Sequence, residues 1–195
     1  MHLKLGAVWM VFLVSVGLAQ MDHSAHGGMA MGSTAELSRL SGKAFDIAYM
    51  SMMIEHHRGA VEMARAILQV SKDARIRKAA QEIATAQNKE IAQLTAWLKA
   101  WYGVAPSARY MRMMRDDMKP MMDSAMMGMR APGHPMSVDR AFLEGMIPHH
   151  QDAVDMSKAC LRRAARAELK RFCQGVIEVQ SREIGQYRQW LQALR

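Results

Sequence analysis

Apolar side chains recur with the period of an α-helix along most of the chain after residue 43. Between 49 and 68 they return every three or four residues, and a polar break at 71–75, SKDAR, precedes a second such run over 76–98. Gly103 and Pro106 follow, and both residue types commonly end helices. No stretch alternates apolar and polar residues as a strand does. The pattern therefore predicts a helical hairpin over 44–102.

The same hairpin occurs a second time. A shift of 93 positions aligns 46–98 with 139–191 without a gap, and 19 of the 53 paired residues are identical. This internal duplication predicts a second hairpin over 137–195. Each hairpin has an apolar face that needs cover, so we expect the two to pack together in one domain. The predicted fold is all-α, a four-helix bundle built from two duplicated hairpins.

The remaining segments differ from the hairpins in composition. Residues 1–19 read as a secretory signal, because Lys4 precedes an apolar run and small residues stand before the expected cleavage point. The run is too short for a stable membrane anchor, so we expect an exported protein, periplasmic or extracellular. We expect 20–43 to be a flexible segment rich in Met and His. We expect 103–136 to be a Met-rich connector without a single apolar face.

Charge adds little, whereas methionine content is unusual. The formal net charge is +8, but the basic residues are scattered among acidic ones and no nucleic-acid-binding motif is present, so no nucleic-acid partner is expected. The chain has 21 methionines, ten of them between Met111 and Met136. Core filling accounts for some of these but not for Met interleaved with Arg, Asp, Pro and Gly. The oligomeric state is left open.

Two adjacent histidine pairs are the strongest chemical signal. They stand in MIEHHRGAVEM (53–63) and MIPHHQDAVDM (146–156). On a helical wheel His57 lies about 40° to one side of Met53 and His56 about 60° to the other, so both reach the inward surface. Buried imidazoles are costly unless their lone pairs are used, and a metal uses them well. We expect one layer of the bundle to gather the predicted ligands: His56, His57, His149, His150, Met53, Met146, Met63 and Met156.

Further residues could support such a site. Carboxylates and amides that recur in both units could orient the histidines: Asp46, Asp139, Gln87, Gln180, Glu90 and Glu183. Auxiliary metal ligands are expected outside the hairpins: His23, His26, Met29, Met31 and His134. Because thioethers are soft ligands, the set favours Cu(I) or Ag(I) over iron or manganese.

Two alternatives remain open at this point. In the first, the chain is a metal-dependent oxidase that turns over Cu(I), iron or manganese with oxygen, and Glu90 and Glu183 ligate the metal directly. In the second, it is a structural or partner-binding bundle whose histidines are packed without metal. Under the leading hypothesis no residue is catalytic, because metal is held by ligand softness and released by exchange.

Three residues bear on local geometry. Cys160 and Cys173 flank a turn predicted near Arg166, where a disulfide and two free buried thiols both fit the pattern. Pro148 replaces Glu55 of the first unit and removes a helical hydrogen bond. We expect it to kink or restart the helix and to make the two histidine pairs inequivalent.

The duplicated elements also resemble a known family. Over 44–192 the chain is similar to the family catalogued as domain of unknown function 305. The resemblance lies in the pattern Asp46…Met53-Ile54-x-His56-His57, in its counterpart around His149-His150, and in the later Gln-x-x-Glu-Ile…Trp-Leu of each unit. The resemblance implies a ferritin-like helical fold, export in bacteria and, from Met/His-rich members, periplasmic copper binding and resistance. The resulting hypothesis is an exported protein that sequesters or delivers Cu(I), and also Ag(I), in metal tolerance or homeostasis.

Overall fold

The computed structural model describes residues 32–130 and 135–194, with side chains from 138 onward in the second range. Within these ranges there are six α-helices and no strand: α1 (Gly32–Arg39), α2 (Gly42–Val70), α3 (Ala74–Tyr102), α4 (Ala108–Arg130), α5 (Pro135–Arg163) and α6 (Ala167–Ala193). The predicted all-α fold is confirmed. The expected signal at 1–19 and the auxiliary ligands His23, His26, Met29, Met31 and His134 lie outside the described residues.

Two of the connections are short turns that fold neighbouring helices into hairpins. Asp73 begins α3 by accepting a hydrogen bond from the Arg75 amide at 2.8 Å, and Gly103 ends α3 in the left-handed conformation (φ 70°) that glycine adopts without strain. The second hairpin joins α5 to α6 and carries a disulfide between Cys160 and Cys173. Of the two states that the sequence left open for the cysteines, the structure contains the disulfide.

Helix α2 lies at the centre of the molecule and packs against α3, α4 and α5. It is therefore buried on several faces, including Tyr49, Met50, Met53 and Ile54, rather than along one stripe. Helices α2 and α5 run antiparallel, since Tyr49 contacts Ser157 (Oη–Oγ 2.8 Å) while Met63 lies beside Gly145. This contact joins the two hairpins.

The Met-rich connector is a helix with a buried face, so the prediction that it has no single apolar face is wrong. Helix α4 buries Met114, Met118, Ala125 and Met129, a stripe at helical spacing, against α2 and α5. Arg115 ties it to α2 through Glu55 (Nε–Oε1 2.6 Å). The polar residues that interrupt the methionines lie on the opposite, exposed face. Helical periodicity is present in the segment, but the density of Arg, Asp and Pro conceals it.

Two further expectations differ from the structure. Part of the segment expected to be flexible, 20–43, forms α1, which docks on α4 through the Ser33 amide and Asp117 (2.7 Å) and buries Leu37. Helix α5 continues through Pro148 instead of restarting there. The Pro148 side chain is exposed, so the ring meets solvent rather than a neighbouring helix. Within the described residues, no helix is long and apolar enough to cross a membrane.

Asp46 joins three elements at one end of the molecule. Its fully buried carboxylate accepts hydrogen bonds from the Tyr102 hydroxyl (2.6 Å) and from the amides of Ala165 (2.9 Å) and Arg166 (3.3 Å). Burial and this contact raise the pKa of Tyr102 to about 12. Asp46 thereby links α2, the end of α3 and the turn between α5 and α6.

Replacing Asp46 by Asn should lower the free energy of unfolding by about 2 kcal/mol, because an amide NH2 group would face backbone N–H donors that then lack an acceptor. Urea denaturation of the metal-free protein measures this. The control is Asp139→Asn at the equivalent position of the second unit, where one carboxylate oxygen makes no hydrogen bond within the described residues and burial raises the pKa. The Asp139 variant should change the free energy of unfolding by less than about 0.5 kcal/mol. Equal losses of stability in both variants would contradict the linking role of the Asp46 carboxylate.

Candidate functional site

The four histidines meet where α2 crosses α5. All four side chains are fully buried. His56 and His149 stack, with ring centroids 3.7 Å apart and ring planes tilted by 39°, and Nε2 of His149 lies 3.0 Å from the carbonyl oxygen of His56. His57 and His150 flank this central pair, with centroids 6.2 Å from His56 and 6.1 Å from His149, respectively. The histidines that the sequence predicts as ligands are thus brought together in one layer.

Most of the imidazole nitrogens have no hydrogen-bond partner. Among the described residues, seven of the eight ring nitrogens in this layer make no hydrogen bond, and the exception is Nε2 of His149. An unpaired buried polar group costs about 1–3 kcal/mol, so an apolar core residue would be cheaper at these positions. Nitrogen lone pairs that are buried, clustered and unused fit a soft or borderline metal ion.

Burial keeps the central pair neutral. Removal from water lowers the pKa of His56 well below its usual range, and the neighbouring rings of His149, His57 and His150 lower it further. The pKa of His149 is lowered in the same way by burial, His150 and His57. A neutral imidazole keeps a lone pair, which is the form that binds metal.

A carboxylate from the partner helix of each hairpin approaches the outer histidines. Glu90 of α3 lies 2.6 Å from Nε2 of His57, and Glu183 of α6 lies 2.9 Å from Nε2 of His150. Each oxygen stands off the N–H direction of the ring, so the contact is close but lacks hydrogen-bond geometry. The Glu90 and Glu183 side chains are 34% and 26% exposed and therefore face a cleft between α3 and α6.

The remaining predicted residues divide between this cleft and the ends of the bundle. Gln87 and Gln180 line the cleft beside the glutamates, and neither side-chain oxygen has a hydrogen-bond partner within the described residues. Asp46 and Asp139 are each ten residues before a histidine, which corresponds to about 15 Å along a helix. The structure places Asp46 at an interhelical turn and does not bring it to the histidines.

The four predicted methionines are buried, but they separate into two groups. Met53 and Met156 belong to one apolar cluster, and Met63 and Met146 belong to another. The antiparallel contact of α2 with α5 explains the division. It groups each methionine that precedes one histidine pair with the methionine that follows the other pair: Met53 with Met156, and Met146 with Met63. The thioethers therefore lie on both sides of the histidines instead of in one layer with them.

From the sequence, the connector methionines are expected only as a group to be lower-affinity or transfer ligands, and the structure identifies the ones in α4 that lie beside the histidines. A Cβ atom built on Gly59 would lie 3.4 Å from both Nε2 of His149 and Sδ of Met122, and 3.5 Å from Cε of Met118. The signal that could have identified them is the four-residue spacing of Met114, Met118, Met122 and Met126. These thioethers approach the histidine layer on the side away from Glu90 and Glu183.

No group of three or more His, Cys, Asp and Glu side chains in the described ranges is arranged to hold one metal ion. A site in this layer therefore needs thioether ligands or a change in ring orientation.

Metal-free protein should lose stability as the pH falls from 7 to 5. The unfolded chain takes up protons on histidine near pH 6.5, whereas His56 and His149 have a lowered pKa when folded, so acidification favours unfolding by up to about 1.4 kcal/mol per pH unit for each group. Asp152, whose pKa burial raises to about 6, acts in the opposite direction below pH 6. Urea denaturation at several pH values checks this.

Two variants separate the contributions. Asp152→Asn removes the opposing carboxyl and should show the steeper loss on acidification. Adding His56→Gln and His149→Gln to that variant should make the free energy of unfolding nearly independent of pH between 7 and 5. A stability that stays constant or rises from pH 7 to 5 in the Asp152→Asn variant would show that the central histidines are protonated in the folded protein.

The chain is similar in sequence and fold to several solved structures. CopM in its Cu(I)-bound form is 29% identical, with a TM-score of 0.62 over 76% of this chain and 96% of that chain. The Ag-bound form of CopM obtained by soaking is 30% identical, with a TM-score of 0.62 over 76% and 95% of the two chains. A DUF305 protein from Streptomyces coelicolor is 24% identical, with a TM-score of 0.66 over 76% and 93%, and shows the fold alone.

The family itself follows from the sequence match. No curated protein sequence matches the chain. The family model described as Domain of unknown function (DUF305) matches residues 15–94 and 46–191, and the second match spans both hairpins and α4. The chain therefore belongs to the DUF305 family.

Proposed function

We propose that this chain is an exported protein that binds Cu(I), and also Ag(I), and sequesters or delivers the ion outside the cytoplasm. The observation that carries the proposal is the layer of four buried histidines. Within the described part of the chain, five of their eight ring nitrogens have neither a hydrogen-bond partner nor a carboxylate oxygen within 3 Å. The similarity to CopM, which has been solved with Cu(I), Cu(II) and Ag bound, supports the choice of metal. The signal-like residues 1–19 support export.

Each group of side chains has a role in this proposal. The imidazoles of His56, His57, His149 and His150 donate nitrogen lone pairs, and the thioethers on either side supply soft sulfur: Met53, Met146, Met63 and Met156. The glutamates lie close enough to the outer histidines to accept a hydrogen bond and hold those rings in place once a ring turns toward them. The Met- and His-rich N-terminal residues and His134 act as weaker ligands. In the same proposal α2, α3, α5 and α6 form the ferritin-like four-helix core, with α4 against it.

Binding of a soft ion to this layer requires no redox step. Neutral imidazole and thioether are uncharged donors, so a monovalent ion brings a single positive charge into the core. The glutamates, about a quarter to a third exposed at the edge of the layer, offset that charge. Hard ions such as Mg²⁺ prefer oxygen ligands and should not compete.

The proposal predicts tight Cu(I) binding that depends on the buried histidines. In a titration of the mature chain against a competing chelator under reducing conditions, replacing His56, His57, His149 and His150 by Ala should weaken binding at least about 100-fold, or about 2.7 kcal/mol. The control variant, His23→Asn with His26→Asn, should change affinity less than about threefold. Undiminished affinity in the fourfold variant would refute the histidine site.

A stability measurement guards against misfolding of the fourfold variant. In the wild-type protein, Cu(I) at about 100 times its dissociation constant should raise the free energy of unfolding by about 2.7 kcal/mol. A bundle whose histidines are only structural should show no such increase with any metal. The milder pair His56→Asn and His149→Asn should fold and should lose most of the increase.

A second candidate function is a metal-dependent oxidase, which the close His57–Glu90 and His150–Glu183 pairs favour. The two hypotheses differ in what Glu90→Gln with Glu183→Gln does. For a binding protein, Cu(I) affinity should change less than about fivefold, and neither variant nor wild type should consume oxygen catalytically with Cu(I), Fe(II) or Mn(II). Steady oxygen consumption by wild type that is lost in the double variant would establish the oxidase instead.

A further inference from the structure

We propose that the soft ion reaches the buried histidines through the groove between α2 and α4, and that Met122 and Met118 pass it to His149 across Gly59. The inference rests on the proposed function, since it concerns the entry of the same ion to the same layer. It assigns a role to α4 that the binding site does not need. The ligands at equilibrium and the route by which the ion arrives are separate properties.

The groove between the two helices is large enough to admit an ion and its carrier ligands. It has a volume of about 380 Å³ and is open to solvent, and its lining includes Gly59, Met118, Met122 and Met126. The cleft on the opposite side of the histidines, between α3 and α6, measures only about 20 Å³ and is lined near the rings by glutamates and glutamines. Both the width and the soft lining favour the groove for Cu(I).

Gly59 lines the groove and lies next to the histidine layer. A methyl group at this position would lie 3.4 Å from Nε2 of His149 and 3.4 Å from Sδ of Met122, so the hydrogen that glycine carries there leaves space between sulfur and nitrogen. The equivalent residue in the second unit is Asp152. The opening is therefore a feature of the first unit alone, on the side that α4 covers.

The methionines of α4 lie at successive depths. Met118 is 3% exposed, whereas Met122 and Met126 are half-buried along the wall of the groove. The four-residue spacing places them on one face of the helix, so an ion can move between thioethers by short steps. Three cations and three carboxylates line the groove, so their formal charges balance. Two of the carboxylates are held in ion pairs, Glu55 with Arg58 and Arg115, and Asp123 with Lys119. Glu62 is a hard oxygen ligand, so the thioethers are the ligands in the groove that suit a soft ion.

The transfer is a ligand exchange. The dative bond from thioether sulfur to the ion breaks as a dative bond from an imidazole nitrogen forms, and no electron is transferred. In the structure Nε2 of His149 donates to the His56 carbonyl, so the lone pair is on Nδ1. Ligation through Nε2 therefore breaks this N–H···O bond and needs the other tautomer of the ring. Nδ1, which has no hydrogen-bond partner within the described residues, takes up a proton from water in the groove and Nε2 releases one to it, so the ring stays neutral.

The test compares the rate of loading with the affinity at equilibrium. Cu(I) is presented to the full mature chain as its complex with a weak coloured chelator, and stopped-flow absorbance follows its transfer. Gly59→Ala should slow loading at least about tenfold and leave the equilibrium affinity within about threefold. The matched control is Gly185→Ala in α6, where an added methyl meets nothing within 4 Å, and it should load at the wild-type rate.

A second variant covers the chance that Gly59→Ala alters the fold. Met118→Leu with Met122→Leu preserves apolar volume but removes both thioethers. It should also load at least about tenfold more slowly with affinity kept. Loading at the wild-type rate in both variants would overturn the route and leave the histidine site intact. An affinity loss in the Leu variant equal to its rate loss would also overturn it, by making these methionines ligands of the final site. If wild type itself shows no tight Cu(I) binding, the proposed function fails first.

Discussion

Burial of four imidazoles in one helix–helix contact is the constraint on which the rest of the structure depends. The rings of His56 and His149 stack where α2 crosses α5, so this contact cannot be filled by apolar packing alone. The imidazole nitrogens are excluded from water because α3, α6 and α4 pack around α2 and α5 on the remaining sides. Asp46, about 15 Å away along α2, connects the turn of one hairpin to the helices of the other and thereby holds the crossing in register.

The duplication supplies a nearly symmetric layer, and α4 makes it asymmetric. On one side each unit contributes the same pair, a histidine and a glutamate from the following helix. On the other side the units have diverged. Glu55 binds α4 through Arg115 where the second unit has the exposed Pro148, and Gly59 admits the α4 methionines where the second unit has Asp152. At these two positions the repeats differ where α2 faces α4.

Close packing with α5 fixes how near α4 can approach. A Cβ atom on Gly145 would lie 2.6 Å from Cβ of Ala125, and one on Gly128 would lie 2.5 Å from Cβ of Ala141, so these positions allow the helices to touch along small residues. The approach brings α4 methionines close to the histidine layer. Carboxylate oxygens lie on one side of that layer and thioether sulfurs on the other, and the groove on the sulfur side is much larger than the cleft on the carboxylate side.

The sequence by itself determined the helices of both hairpins, their duplication and the burial of the paired histidines, because helical periodicity and repeat spacing are local properties of the chain. It misjudged residues 104–130, whose apolar stripe is hidden among charged residues, and it expected Pro148 to break a helix that continues through it. Only the tertiary structure decided which methionines face which histidines. The antiparallel crossing of α2 and α5 groups Met53 with Met156 and Met63 with Met146, and the packing of α4 brings Met122 close to His149. These contacts between helices depend on crossing geometry, which sequence spacing does not encode.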